Sequence, residues 1–212
     1  MAARVAVEHS AAPRKRPRQR RAHETVDRIL TAAAHIFDER GYRATTTNHV
    51  AERAGVSIGS LYQYFPNKDA LLVALAERHI RTAAEAFAER LAELRRAEPP
   101  MPHVTRSLVE LTVAQNDTSR LHAIIYADGP RTPELTAELD RFAHHLIDEV
   151  ALQLQRTGCG GADPRRRAAL VVSAVDAAVH EVVLGLDPGP ERSAAVDDLV
   201  SLVVHGLEGS TT

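Results

Sequence analysis

Apolar residues recur along this chain with the period of an α-helix rather than a strand. From Thr25, the residues Val26, Ile29, Leu30, Ala33, Ala34 and Phe37 fall on one helical face, and Gly41 stops the run. A short helix is predicted from about Thr47 to Ala54, with Val50, Ala51 and Ala54 inward and Thr47 as N-cap. Gly55 breaks it, and a third helix follows over roughly Ser57 to Tyr64, anchored by Leu61 and Phe65. Pro66-Asn67-Lys68-Asp69 restarts the chain, with Asn67 able to cap and Asp69 well placed against the helix dipole. A long helix then runs to about Arg96, closed by Glu98-Pro99-Pro100-Met101-Pro102.

Five more helices are predicted near 103–116, 119–127, 133–157, 164–186 and 191–208. Thr132-Pro133 and Asp163-Pro164 each set a capping residue before a proline suited to the first helical turn. No stretch reads as a strand or a repeat. The fold class is all-α with about nine helices, in three parts. Residues 1–21 form a basic arm, 22–68 a three-helix domain, and 69–212 a larger helical domain. Pro13 and Pro17 among like charges predict an arm that is disordered in isolation.

Composition adds little until charge is placed along the chain. The 212 residues carry net charge −2, with 44% apolar and 25% charged residues, which is ordinary for a globular protein. Residues 1–68, however, hold 12 of the 26 Lys+Arg and only 6 of the 28 Asp+Glu. A basic front on an acidic body fits a polyanionic partner, and on charge alone a solvated tail fits equally well. The single Cys159 excludes an intrachain disulfide. No apolar run follows Met1 as in a signal peptide, and no stretch approaches the roughly 20 uncharged apolar residues of a membrane span. The cytoplasm is the expected compartment.

Residues 45–71 read TTTNHVAERAGVSIGSLYQYFPNKDAL. Two short helices joined at Ala54-Gly55-Val56 describe a helix-turn-helix, whose second helix can enter a major groove. Ser57, Gly59, Ser60, Tyr62, Gln63 and Tyr64 are then free for an outer surface, where hydroxyls suit phosphates and Gln suits adenine. Over about residues 24–75 the chain resembles the tetracycline-repressor (TetR) family. The resemblance rests on Thr46-Thr47, Val50-Ala51, Ala54-Gly55-Val56-Ser57, Gly59, Leu61-Tyr62, Tyr64-Phe65, Lys68 and Leu71-Leu72. It implies a dimeric all-α protein that binds a palindromic operator, usually as a repressor, and is released by a small molecule. It also implies that Thr47, Asn48, Ser57, Tyr62, Tyr64 and Lys68 touch phosphates or bases, and that Gly59, Ser60 and Gln63 lie on the reading face. Asn48 and Gln63 are the candidates for base discrimination. Tyr62, Tyr64 and Lys68 have a second reading, as packing at the junction with the long helix. Arg14, Lys15, Arg16, Arg18, Arg20 and Arg21 lie where an arm could follow the DNA backbone.

The larger domain speaks less clearly. Val171, Val175, Val179 and Val182 in one helix, with Val196, Leu199, Val200, Val203 and Leu207 in the last, cover more than one face. Helices apolar on two sides need two partners, so these residues are expected at a homodimer interface, a larger monomer core being the alternative. A ligand pocket is expected from Phe87, Leu91, Leu111, Gln115, His122, Tyr126, Phe142, Leu146, Val172 and Asp176. Only Phe87, Tyr126 and Phe142 are aromatic beyond residue 68, so an aliphatic or acyl-bearing ligand fits better than a planar cation.

Asp176 reads as a buried acid that needs a partner, either His180 or an arginine across the interface. His144-His145 with Asp148-Glu149 have metal-ligand spacing, but ion pairs explain such spacing more often, so no metal and no cofactor is expected. Cys159 lacks a neighbour that would activate it. No catalytic motif is present. A ligand-released repressor is therefore the leading expectation, followed by a ligand-independent activator or architectural regulator, with an enzyme a remote third.

Overall fold

The structure is a computed structural model that describes residues 20–117, 124 and 132–208. Among these it contains eight α-helices, one 3₁₀ turn and no strand. They are α1 (Arg20–Ala44), α2 (Thr47–Ala54), α3 (Ile58–Tyr64), α4 (Lys68–Ala97), α5 (Met101–Asn116), α6 (Pro133–Arg156), α7 (Pro164–Glu181) and α8 (Pro190–Glu208). The 3₁₀ turn, Val183–Gly185, follows α7. The helix expected at 119–127, with His122 and Tyr126, lies outside the described residues, as do Arg14, Lys15, Arg16 and Arg18. α1 begins at Arg20, so Arg20 and Arg21 belong to a helix rather than to the arm.

The chain forms two compact units, and α4 contributes to both. In the first unit, α1, α2, α3 and the start of α4 enclose Ile29, Ala33, Phe37, Val50, Leu61, Leu71 and Leu72, all of them 0% exposed. The kink in α1 falls at Gly41, whose φ of 73° favours glycine. The N-cap of α2 is Thr46, whose side chain accepts from His49 N–H, rather than Thr47. Thr46 has the extended φ/ψ that a capping residue needs, and Thr47 already belongs to the helix. Asn67 caps α4 as expected, accepting from Ala70 N–H at 2.8 Å.

In the second unit, one apolar cluster joins Leu94, Met101, Val104, Val150, Leu154, Ala168 and Leu207. Another joins Val109, Val179, Val183, Val196, Val200 and Val204. Arginines tie the loops between them. Arg192 is buried, donates to Leu186 C=O at 2.9 Å and pairs with Asp117. Arg156 donates to the carbonyls of Glu98 and Pro99.

The clusters correct part of the expected interface. Val179, Val196, Val200 and Leu207 fill this core, while Val182 is exposed and Val171, Val175, Leu199 and Val203 are half-buried. The surface carries Leu170 and Leu202 instead, at 67% and 73% exposure. Only 17% of the apolar stretch within Pro164–Gly185 is buried. By length and composition this segment is long and apolar enough to cross a membrane, although Asp176 and Glu181 interrupt it.

Candidate DNA-binding surface

Gly55 turns the chain between α2 and α3 at φ 62°, ψ 38°, and its N–H closes back on the Ala51 and Glu52 carbonyls. This left-handed C-cap leaves the last carbonyls of α2 pointing outward. Arg28 of α1 collects two of them, donating to Ala54 C=O at 2.6 Å and Gly55 C=O at 3.1 Å. A Cβ at Gly55 would lie 3.2 Å from that guanidinium. The left-handed backbone favours glycine here, and any Cβ would also press on the Arg28 guanidinium. Arg28 was not foreseeable from sequence, because its role exists only once α1 lies beside the turn.

Ser57 caps α3, accepting from Ser60 N–H at 3.1 Å. Leu61 and Phe65 anchor the inner side, and Tyr64 is half-buried against the same cluster. The outer side presents Ile58, Gly59, Tyr62 and Gln63, all exposed. Several polar groups there are already engaged. The Ser57 and Ser60 hydroxyls are 2.8 Å apart, and Thr47 Oγ1 is 3.0 Å from the Tyr62 hydroxyl. Asn48 is exposed on α2.

Lys68 departs from the expected phosphate contact. Its Nζ donates to Tyr42 C=O at 3.0 Å and to Arg43 and Thr45 C=O at 3.4 Å each, and lies 4.3 Å from the Tyr42 ring centroid. The carbonyls at the end of α1 lie at the negative end of a helix dipole, which is a natural seat for an ammonium. Tyr42 in turn donates to Asp69. The first turn of α4 is thus fastened to the α1–α2 junction.

The second unit has an open groove of about 420 Å³ between α4 and α6. Ile80, Ala84 and Ala88 form one side, Phe142 the other, and Arg81, Glu85, Glu138, Arg141 and His145 complete the lining. Of the expected pocket residues that are described, only Phe142 lines this groove. Phe87 and Leu91 are buried at 6% and 1% exposure, and Phe87 stacks edge-on against Phe142 at 5.6 Å. They lie on the neighbouring stripe of α4, one residue further round than Ala88, and so face the core. Leu111, Gln115, Leu146 and Val172 are half-buried, and Asp176 is exposed.

Asp176 therefore corrects another expectation, since the buried member of its pair is His180, 3.3 Å away. The hydrogen bond that His180 donates to the Asp176 carboxylate raises the His180 pKa above the ordinary imidazole range, against the opposing effect of burial. The acids beside His144 and His145 are paired with arginines. Asp148 meets Arg165 at 2.7 Å, and Glu149 meets Arg95 at 3.1 Å.

The sequence pattern described as bacterial regulatory proteins, tetR family, matches residues 29–75. The chain is similar to the HTH-type transcriptional regulator UidR of Escherichia coli K12, at 30% identity over 138 residues, covering 65% of this chain and 68% of UidR. It spans 62% of the length of the mycobacterial regulators it matches at 29% identity. Among solved structures, the fold is similar to FadR of Bacillus subtilis in complex with stearoyl-CoA. That match has a TM-score of 0.62 at 20% identity, over 85% of this chain and 98% of that one. It is also similar to a transcriptional regulator of Saccharomonospora viridis in complex with choline. There the TM-score is 0.67 at 19% identity, over 86% and 97% of the two chains.

Proposed function

Because the chain belongs to the tetR family of bacterial regulatory proteins, we propose that it is a homodimeric repressor, released from a palindromic operator by a small hydrophobic or amphipathic molecule. It is a transcriptional regulator, and its work on DNA puts it in the cytoplasm. The observation that carries the reading is the outer side of α3. There Ile58, Gly59, Tyr62 and Gln63 stand exposed on a helix held rigidly from behind by Leu61 and Phe65. Thr47, Ser57, Ser60 and Tyr62 supply hydroxyl groups for the DNA backbone, and Asn48 and Gln63 discriminate bases.

One short recognition helix gives one half-site, so two chains are needed for an operator. The surface available to a second copy is the apolar stripe of α7 and α8, exposed except at the half-buried Ala195 and Leu199. Leu170, Ala174 and Ala177 follow one another at helical spacing, as do Ala195, Leu199, Leu202 and Gly206. The small residues in both rows permit close helix packing.

The α4–α6 groove is the effector site in this reading. Its aliphatic and aromatic walls take an apolar tail, and its charged rim takes a polar head. Two neighbours of the same fold hold ligands as unlike as stearoyl-CoA and choline, so ligand identity does not come with the fold. A ligand in the groove touches α4, and the first turn of α4 is fastened through Lys68 and Asp69 to the α1–α2 junction. By linkage, the ligand weakens operator binding only as far as operator weakens ligand binding. Operator affinity measured against a panel of acyl and other lipophilic metabolites tests this. Release by a compound whose effect is lost in Phe142→Glu supports the reading, and unchanged affinity across the panel contradicts it.

A further inference from the structure

The first unit has two exposed large apolar or aromatic side chains among its described residues, Ile58 at 37% and Tyr62 at 41%. Both are on α3, four residues apart, and therefore on one face. The Tyr62 hydroxyl is engaged with Thr47, and the Ser57 and Ser60 hydroxyls with each other. Ile58 has no polar role to play. It sits at the first residue of the helix, the end from which a helix-turn-helix touches base edges. Beside it, Gly59 is not needed by the fold. Its φ is not left-handed, and an added Cβ would meet only Ser57 Oγ, at 3.9 Å. Glycine within a helix is destabilising relative to alanine, so a bare position here favours close approach of something outside the protein. A major groove presents one apolar group on its base edges, the C5-methyl of thymine.

Resting on the DNA-reading function above, we propose that Ile58 is a specificity-determining residue that packs on a thymine methyl in each half-site, brought within reach by the bare backbone at Gly59. The contact selects thymine over cytosine, which lacks the methyl and would leave its amino donor facing an aliphatic chain.

The test uses the full chain and the operator obtained by selection from random DNA. Each thymine in a half-site is replaced in turn by deoxyuridine, which removes only the methyl. At one position the wild type is expected to lose roughly three- to fivefold in affinity, the effect of exposing about one methyl-sized group. Ile58→Ala should bind both versions alike at that position and respond like the wild type at every other thymine. Ile58→Gln, selected afresh on random DNA, should lose its preference for thymine there. Thermal melting checks that both variants keep the fold. If Ile58→Ala responds to every deoxyuridine as the wild type does, the inference is overturned while DNA reading stands. If the wild type selects no site at all, the function proposed above fails first.

Discussion

A Cβ at Gly59 would make only an ordinary contact with Ser57 Oγ, at 3.9 Å. Gly59→Ala is therefore expected to stabilise the free protein by about 0.5–1 kcal/mol while weakening operator binding, a split that melting and titration measure separately. Gln63→Ala is expected to change the preferred base at one position, by about 1–3 kcal/mol if the contact is bidentate. An unchanged selected site would remove Gln63 from the reading face.

His180 gives a prediction in pH. Asp176 raises its pKa in the folded protein. The stabilisation from the pair is thus fully present below the ordinary histidine value and is lost as pH rises through the raised one. Asp176→Asn should lower the melting temperature near about pH 5.5 and have little effect near about pH 9. At this scale the sequence was legible where chemistry is local. Asn67 capping α4 and Asp163 capping α7 needed only neighbouring residues. Arg28 was not legible, because it serves carbonyls some 25 residues away that only the folded chain brings near, and Lys68 was legible only as the second of its two readings, packing at the junction.

Elements show the same division. The helix starts marked by Thr132-Pro133 and Asp163-Pro164 are where the sequence placed them. Which side of α7 and α8 turns inward was not readable, because both sides are apolar and periodicity cannot rank them. Packing against α5 resolves it, taking Val179, Val196 and Val200 into one cluster and leaving Leu170 and Leu202 outside. If that outer stripe joins two chains, Leu170→Glu with Leu202→Glu should yield a folded monomer by sedimentation. A variant that sediments like a dimeric wild type would contradict the assignment. The seat of Lys68 matters at this scale as well. Lys68→Ala removes a capped charge from the α1–α4 junction, and is expected to cost about 1–3 kcal/mol of stability.

At the scale of the whole molecule, the all-α class and the reading motif followed from helical periodicity and from closely spaced residues between Thr45 and Leu71. The effector site did not, because a groove depends on how two helices diverge along their length. The expected wall lay one stripe away from the observed one on α4. Whether α3 reads DNA on behalf of a two-fold symmetric molecule is decided by selecting binding sites from random duplexes with the full chain and sedimenting the resulting complex. An enriched palindrome is expected, with half-sites about 10 bp apart or a multiple of that, carrying two chains or a multiple of two. No enrichment, or an asymmetric site occupied by one chain, would contradict it.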